Sequence, residues 1–262
     1  MPRLSVNRAA WSLAKKLCDQ AEKFGVAVKE TKSGTTLIDA GIEAKGGFLA
    51  GKIITEICLG GYGKAEIFYK QYEDLEFPSI FVYTDYPAIA TLGSQFAGWQ
   101  IKVDKYTAIA SGPARALALK PRELYEKIQY SDASDVAVLV FETATEPPEE
   151  VIKQISDECK VEPDHLSVIL VPTSTIAGSI QISGRIVETG MHKLTELGFD
   201  PKLITHACGY APIAPVHPKF AQAMGRTNDA IMYAGVAYYT ASYDDDEELR
   251  KLVEKAPSSA SK

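Results

Sequence analysis

The amino-acid sequence predicts an α/β protein with mixed sheets, an α+β arrangement being the alternative. Apolar segments with helical spacing alternate with short runs rich in β-branched residues along the chain. Two such runs near the amino terminus, 26–31 and 35–39, are separated only by a Lys-Ser-Gly turn, which predicts an antiparallel hairpin. The length of 262 residues suits two modest domains. We therefore expect two α/β domains with a cleft between them.

The boundary between these domains is placed near residue 120. Residues 1–120 form the predicted amino-terminal α/β domain, and residues 121–243 form the predicted carboxy-terminal α/β domain. The remaining residues, 244–262, are first charged and then rich in Ser and Ala. Such a composition favours a flexible tail.

The composition excludes several classes of function. Hydrophobic residues make up 46% of the chain and charged residues 24%, which is ordinary for a globular protein. The net charge of -6, without any basic run, argues against a nucleic-acid partner. No apolar segment approaches the ~20 residues that cross a bilayer, and the amino terminus lacks a hydrophobic signal segment. We therefore expect a cytoplasmic protein without a membrane partner.

The cysteines and histidines do not predict a metal site. The four cysteines are far apart, without a C-x-x-C pair, and their apolar surroundings favour buried, reduced thiols. The four histidines lack ligand spacing such as H-E-x-x-H. These residues are Cys18, Cys58, Cys159, Cys208, His165, His192, His206 and His217. We expect no bound metal, although a site assembled from distant segments is also compatible with the sequence.

The most informative stretch is 172–193, which follows the predicted buried strand 167–171. It starts with a Pro-Thr-Ser turn suited to a helix N-cap, and the predicted helix then runs to Leu197. On a wheel of about 100° per residue, four polar side chains form one stripe. They are Gln181, Arg185, Glu188 and His192. A separate apolar stripe on the same helix is suited to the core.

Two glycines, Gly178 and Gly184, flank the polar stripe. A glycine costs about 1 kcal/mol inside a helix, so close approach of a ligand or of a second backbone would explain their presence. The alternative for the stripe is a solvated helix face with an ordinary i,i+3 ion pair, which contributes only a few tenths of a kcal/mol.

Other segments are less specific. Ser111–Ala118 combines small residues with Arg115, which suits either close helix packing or the binding of an anion. The glycines of 60–63 lack the strand-turn-helix context of a dinucleotide fingerprint, so a helix stop is favoured over a phosphate cradle.

The carboxy-terminal third predicts short elements. Residues 203–208 favour a strand, and the proline-rich segment 211–216 favours a loop or an edge rather than a central strand. Residues 220–224 favour a short helix, 225–229 a polar turn, and 231–239 a last strand.

Several motifs in a fixed order, across roughly residues 5–240, resemble one family, the methenyltetrahydromethanopterin cyclohydrolases. The motifs are EICLGG (56–61), TDYPA (84–88), AGWQ (97–100), SGPARALA (111–118), PTS (172–174), Q-x-SGRIVETG (181–190), HK (192–193), APIAP (211–215) and AMGRTND (223–229). Phe96 departs from the resemblance, which leads us to expect a lysine after Ser94 and Gln95. Loss of that charge weakens the expectation of an anion contact there.

The resemblance implies a reversible hydrolysis without metal or redox cofactor. The substrate would be a 5,10-methenyl pterin, a cation whose charge is shared by the two nitrogens that flank one carbon. Water adds to this carbon, the adduct opens, and a formyl group remains on one nitrogen. This chemistry needs a proton-transfer group and a wall that tolerates a cation.

The resemblance also implies roles for residues of the polar stripe. Glu188 would transfer protons, and Arg185 would keep that carboxylate ionised and oriented. Gln181 would fix the pterin or the water, while Gly178 and Gly184 would let the flat ring approach. Further substrate-binding candidates in the resembling segments are Thr84, Asp85, Ser94, Gln95, Ser111 and Arg115.

Two other expectations concern assembly and function. The resemblance implies a homotrimer, for which 231–239, with Tyr233, Tyr238 and Tyr239, supplies candidate surface residues. The alternative function is a non-catalytic protein that binds a pterin coenzyme, with the Arg-Glu pair purely structural. A nucleotide-dependent enzyme is a third, less favoured, hypothesis.

Overall fold

The computed structural model describes residues 4–260. The strands of this part of the chain are β1 Ala27–Glu30, β2 Thr36–Asp39, β3 Gly63–Tyr72, β4 Leu75–Thr84, β5 Trp99–Val103, β6 Tyr106–Ser111, β7 Ala137–Glu142, β8 Leu166–Leu170, β9 Ile204–Pro212 and β10 Val236–Ala241. Its α-helices are α1 Val6–Asp19, α2 Ala21–Phe24, α3 Phe48–Cys58, α4 Arg115–Ala118, α5 Arg122–Ile128, α6 Glu149–Cys159, α7 Ile176–Ser183, α8 Ile186–Glu196, α9 Phe220–Ala234 and α10 Asp246–Lys255. A π-helix spans Ala88–Gln95.

The strands form two sheets, and the predicted mixed α/β class is confirmed. The six-stranded sheet has the order β1-β2-β8-β7-β6-β5, with β2, β8 and β7 parallel and the outer pairs antiparallel. The four-stranded sheet, β10-β9-β4-β3, is wholly antiparallel. Each sheet takes strands from both sides of residue 120, because β8 inserts between β2 and β7 and β9 pairs with β4. The boundary placed at residue 120 therefore does not separate the two sheets.

Alternating side chains bury both faces of the six-stranded sheet. Ile38, Val138 and Ile169 pack with α1 and α3, whereas their neighbours Leu37, Leu139 and Val168 pack with α6 on the opposite face. This alternation follows from the two-residue period of a strand. Fully burying a side chain of this size contributes roughly 1.5–3 kcal/mol. The third cluster joins the inner face of the four-stranded sheet to α5, α7, α8 and the π-helix.

The segment predicted as one helix up to Leu197 forms two helices. α7 ends at Ser183 and α8 begins at Ile186, with Gly184 and Arg185 between them. The Arg185 amide donates to the carbonyl of Ile182 at 2.9 Å, an i→i−3 bond that tightens the end of α7. The continuous helix is therefore a wrong prediction. The N-cap of α7 is Thr175, whose hydroxyl accepts a hydrogen bond from the Gly178 amide.

The helix predicted to follow Pro87 is present, but it has π geometry. The Phe96 amide donates to the carbonyl of Thr91 at 2.9 Å, and the Gly112 amide donates to the carbonyl of Ser94, also at 2.9 Å. A π-turn is wider than an α-turn and redirects the carbonyls at its end. In this protein these carbonyls meet the break between α7 and α8.

Three predictions for the carboxy-terminal third need correction. Residues 213–216 form the predicted loop, but Ala211 and Pro212 end β9, which lies between β10 and β4 and is therefore a central strand. It tolerates Pro212 because this residue stands at the strand end, where it pairs with Ser79. Residues 225–229 form no turn, since α9 runs through the solvent-exposed Gly225. Only the part of 231–239 from Val236 onward is strand.

The segment assigned to a flexible tail is helical from Asp246 to Lys255. Asp245 caps this helix by accepting from the Glu248 amide at 2.9 Å. The apolar side chains of the helix pack against the cluster that joins α8 to the four-stranded sheet; these are Leu249 and Leu252, followed by Ala256 just after the helix. Composition masked this helical spacing, because most of the surrounding residues are charged.

Candidate active site

The break between α7 and α8 places a nearly buried ion pair at the start of α8. Arg185 Nε donates to Glu188 Oε2 at 3.2 Å. The side chains keep 12% and 6% of their accessible surface. The solvated ion pair considered as an alternative is therefore contradicted. Glu188 also lies in the first turn of α8, where the helix dipole favours a carboxylate.

Gln95 connects the π-helix to this pair. Its side-chain Nε2 donates to the carbonyl of Gly184 at 3.1 Å. Its main-chain carbonyl accepts from Arg185 Nη2, also at 3.1 Å. Because Arg185 is held at two nitrogens, by Glu188 and by the Gln95 backbone, its guanidinium has a defined orientation.

Two glutamine oxygens near the break have no hydrogen-bond donor. Gln95 Oε1 and Gln181 Oε1 are both buried and unpartnered among the described residues. Gln181 precedes Arg185 by four residues. A buried acceptor without a donor costs roughly 1–3 kcal/mol, and N–H groups of a ligand would relieve that cost. The site therefore combines a carboxylate, a guanidinium and two amide acceptors.

Protein atoms, not open space, lie beside the two glycines of the predicted stripe. A Cβ on Gly178 would stand 2.0 Å from the carbonyl oxygen of Pro172. A Cβ on Gly184 would stand 2.6 Å from the γ-methyl of Thr55 on α3. Close packing with the backbone and with α3 thus explains both glycines without an approaching ligand ring.

Arg115 lies beneath the site rather than at its surface. It is fully buried and donates to main-chain carbonyls of Leu92, Ser94 and Lys120. Of the two explanations open for Arg115, the structure favours packing over anion binding. Burial lowers the pKa of the Arg115 guanidinium, an effect that Tyr125 and Glu188 oppose.

Phe96 fills the place where the resemblance leads us to expect a lysine. Its ring lies 5.2 Å from the Arg115 guanidinium carbon and stacks on the His192 ring with centroids 4.7 Å apart. Both contacts suit the negatively polarised face of an aromatic ring. His192, a member of the predicted polar stripe, is thereby packed against a neighbouring element.

Ser94 and Ser111 both contact Cys58. Ser94 Oγ donates to the Cys58 carbonyl at 2.6 Å, and Ser111 Oγ lies 3.8 Å from Cys58 Sγ. Burial raises the pKa of the Cys58 thiol to about 11, although the nearby Arg185 and Ser111 act in the opposite direction. Cys58 is therefore a neutral thiol at physiological pH and a poor nucleophile.

Thr84 and Asp85 are not brought to the ion pair by hydrogen bonds of the described residues. Thr84 Oγ1 donates to the Tyr62 carbonyl at 2.7 Å and accepts from the Tyr86 amide at 3.0 Å. Asp85 is exposed at the end of β4. Thr84 thus shapes the turn into the π-helix.

Tyr239 is a site neighbour that sequence reasoning placed on a surface. Its hydroxyl donates to the carbonyl of Val187 at 2.8 Å. Burial and the Glu188 charge raise its pKa, so the hydroxyl stays neutral. A Cβ on Gly190 would stand 2.1 Å from this hydroxyl, so the glycine in the 181–190 motif was the signal for a close contact.

A separate cavity of about 320 Å³ lies between α9 and the end of β9, away from Arg185 and Glu188. Its lining includes Tyr72, Phe77, Pro212, Pro215, Arg226 and Asp229. Two serines of α7 hold residues of this lining by hydrogen bonds. Ser179 donates to the carbonyl of Ala214, and Ser183 donates to the carbonyl of Pro212. The motifs 211–215 and 223–229 therefore build this wall, not the ion-pair site.

Residues 4–260 contain neither a cluster of metal ligands nor a helix suited to a bilayer. No group of three or more His, Cys, Asp or Glu side chains within this range could hold a metal ion. No helix in the same range has the length and apolar character needed to cross a bilayer.

Comparison with known proteins assigns the chain to a family. The family model described as Cyclohydrolase (MCH) matches residues 5–262. A methenyltetrahydromethanopterin cyclohydrolase of Methanococcoides burtonii is 43% identical over 259 residues, covering 99% of this chain and 81% of that protein. The chain belongs to the methenyltetrahydromethanopterin cyclohydrolase family.

Further relatives with the same name support this assignment. The protein of Methanothermobacter marburgensis is 43% identical over 98% of this chain and 82% of its own length. That of Methanocaldococcus jannaschii is 43% identical over 99% of this chain and 81% of its own length. The family expected from the resemblance is thus confirmed, and so is the enzyme class, a hydrolase of carbon–nitrogen bonds in cyclic amidines.

Proposed function

We propose that this cyclohydrolase reversibly hydrolyses 5,10-methenyltetrahydromethanopterin to 5-formyltetrahydromethanopterin. The observation that carries the proposal is the nearly buried Arg185–Glu188 pair at the start of α8. A proton-transfer carboxylate is useful where it is shielded from bulk water and oriented by a second group. The names of the relatives supply the substrate.

Glu188 acts in each proton transfer of the proposed mechanism. Its carboxylate removes a proton from water while the water oxygen bonds to the cationic methenyl carbon, and the π electrons of the carbon–nitrogen bond return to nitrogen. The protonated Glu188 then donates to the nitrogen that leaves. The carbon–nitrogen bond breaks, the adduct hydroxyl becomes the formyl carbonyl, and its proton passes through Glu188 to solvent. One proton is thus released per substrate cation hydrolysed.

The other site residues bind and orient. Arg185 holds the Glu188 carboxylate through Nε and is itself held by the Gln95 carbonyl. The unpartnered oxygens of Gln95 and Gln181 suit the N–H groups of a pterin. A carboxylate near the reacting carbon also stabilises the cationic substrate. No metal or redox cofactor is needed in this scheme, because the substrate is already electrophilic.

Absorbance of the methenyl chromophore separates this function from the pterin-binding alternative. The chromophore disappears on hydrolysis, so catalytic amounts of the enzyme should bleach a large excess of substrate. A binding protein would only shift the spectrum, and only in proportion to its own concentration. Failure of the wild-type enzyme to bleach excess substrate would contradict the proposal.

Activity should survive exhaustive chelation. Within residues 4–260 no cluster of three potential ligands is present, and the proposed scheme has no step that requires a Lewis acid. Turnover is measured before and after treatment with a strong chelator, with added zinc as the control. Loss of turnover that zinc restores would contradict the prediction.

We also propose a homotrimer, assembled through the outer face of the four-stranded sheet. Tyr238 pairs in register with Cys208, which pairs with Tyr83, so these three side chains form a row. Tyr238 is 68% exposed and Tyr233 on α9 is 80% exposed. Tyr239, by contrast, points inward, where its hydroxyl donates to the Val187 carbonyl, so it does not belong to the proposed interface. Exposed aromatic side chains on a sheet face favour association.

Light scattering at micromolar concentration should therefore give the mass of a trimer, and Tyr238→Glu should reduce it. Tyr69→Glu is the matched control, because Tyr69 is 76% exposed on the opposite side of β3. A stable wild-type monomer would contradict the proposed assembly.

The cytoplasmic location stays a prediction from the sequence.

A further inference from the structure

Arg115 is a buried cation without a carboxylate partner of its own. Nε donates to the Lys120 carbonyl at 2.8 Å, and Nη1 donates to the carbonyls of Leu92 and Ser94 at 3.3 and 3.2 Å. Nη2 is buried and unpartnered among the described residues. A charge kept in the interior without a direct counter-ion among the described residues is costly.

The carbonyls that Arg115 holds lead directly to the catalytic pair. Two of them, those of Leu92 and Ser94, belong to the end of the π-helix, where the Tyr125 hydroxyl also holds the Gly93 carbonyl at 2.9 Å. The next carbonyl in this row is that of Gln95, and it accepts from Arg185. Arg185 in turn holds Glu188. The π-helix end is therefore a bridge between Arg115 and the proton-transfer carboxylate.

The charge of Arg115 also acts on the site. Glu188 attracts the guanidinium and Arg185 repels it, so both lie within electrostatic reach. Burial weakens dielectric screening and makes such an interaction stronger than it would be at the surface. Arg115 and Arg185 together thus place two positive charges around one carboxylate.

We propose that Arg115 is a positioning residue of this enzyme: it fixes the carbonyls that orient Arg185, and it adds a second positive charge near the Glu188 carboxylate. This inference rests on the proposed function, since it assigns Arg115 a part in the same proton transfer. Arg115 does not touch the reacting atoms.

Several other titratable groups lie around Glu188. Arg185 and His192 lie on the same segment. Tyr239 faces the carboxylate from β10, and Tyr125 and Cys58 surround the two arginines from α5 and α3. Burial raises the pKa of Tyr125 to about 12 and that of Cys58 to about 11, so neither changes charge between pH 5 and pH 9.

The test compares Arg115→Met, Arg115→Lys and Tyr125→Phe by steady-state kinetics over pH 5–9. Arg115→Met removes the charge and the hydrogen bonds; we expect turnover to fall ~10-fold or more and the acid limb of its pH profile to move to higher pH, because a positive charge near the carboxylate is lost. Arg115→Lys keeps the positive charge but loses the planar guanidinium that donates to several carbonyls at once. Turnover should therefore fall, while the acid limb of the pH profile stays in place. Tyr125→Phe removes a neighbouring donor without changing charge, so the melting temperature should fall and the acid limb should stay.

A purely structural role predicts a different result. All three variants would then melt at lower temperature, with wild-type turnover and an unmoved acid limb once folded, and this outcome overturns the inference. If Arg115→Met does not fold, Arg115→Lys decides: reduced turnover at unchanged KM supports positioning, and wild-type turnover refutes it. A wild-type enzyme that fails to bleach the substrate would instead refute the proposed function, so the two failures are distinguishable.

Discussion

Glu188→Gln is expected to lower turnover by roughly 10²–10⁴, the usual contribution of general acid–base catalysis. Glutamine keeps the size of the side chain and an oxygen that can accept from Arg185 Nε, but it cannot take up a proton from water. KM should change less, because the residues proposed to bind the pterin remain. Steady-state bleaching of the methenyl chromophore measures both constants.

A matched control is available on α5. Arg122 and Glu126 form an i,i+4 ion pair at 3.0 Å whose side chains are 79% and 66% exposed. Glu126→Gln should leave turnover unchanged and alter stability by well under ~1 kcal/mol. Glu188→Gln removes a charge from a nearly buried pair, so its melting temperature must be measured and turnover taken well below it. Wild-type turnover in a folded Glu188→Gln variant would remove the central claim.

Arg185→Ala should also lower turnover, because the carboxyl of Glu188 would lose its cation in a desolvated site and would hold a proton more readily. The losses in Arg185→Ala and Glu188→Gln should be far from additive in the double variant, since the two residues act as a unit. Additive losses would indicate independent roles and would contradict the assignment of Arg185.

Gly178→Ala is expected to destabilise the protein by roughly 1–3 kcal/mol in the absence of substrate. Alanine normally stabilises a helix by ~1 kcal/mol relative to glycine, so the predicted sign is reversed. The reason is the Pro172 carbonyl, which would lie 2.0 Å from the new Cβ. That carbonyl is fixed by the amide and the hydroxyl of Thr175, at 3.1 and 2.8 Å, so it cannot move freely.

Gly225→Ala on α9 is the matched control for this substitution. No atom lies within 4 Å of a Cβ built at this helical position, and the residue is exposed. We expect a small gain in the free energy of unfolding, as helix propensity predicts. Both variants are compared by thermal unfolding without ligand. If Gly178→Ala matched Gly225→Ala and only raised KM, the ligand-approach explanation for Gly178 would be preferred.

The ion pair itself was predictable from the sequence, because residues three apart on a helix are neighbours whatever surrounds them. The burial of this pair and its contacts with other segments were not predictable. At the break between α7 and α8, Gly184 packs against α3, where the Thr55 methyl leaves no room for a side chain at position 184. Gln95 was a candidate from its motif, yet its two hydrogen bonds to Gly184 and Arg185 join segments about 90 residues apart. Such long-range pairing leaves no periodic signal.

The errors have a common origin in tertiary context. Composition suggested a flexible tail after Tyr243, but partial burial of Leu249 and Leu252 stabilises a helix there. Prolines in 211–216 suggested a loop or an edge; residues 213–216 do form a loop, but Pro212 ends a central strand, where it needs no donor. Glycine and polar residues in 225–229 suggested a turn, but α9 tolerates an exposed glycine. Local propensity is a weak prior that packing overrides.

The sequence by itself determined the α/β class, the hairpin of β1 and β2, the family and the Arg185–Glu188 pair. These depend on short-range periodicity and on motifs within one segment, which the order of residues specifies directly. Only the tertiary structure decided that the pair is nearly buried, that Gly178 and Gly184 face protein atoms, and that Gln95 of the π-helix holds Arg185. These features depend on which distant segments meet, because burial and the loss of solvent screening arise only when the sheets and helices pack together.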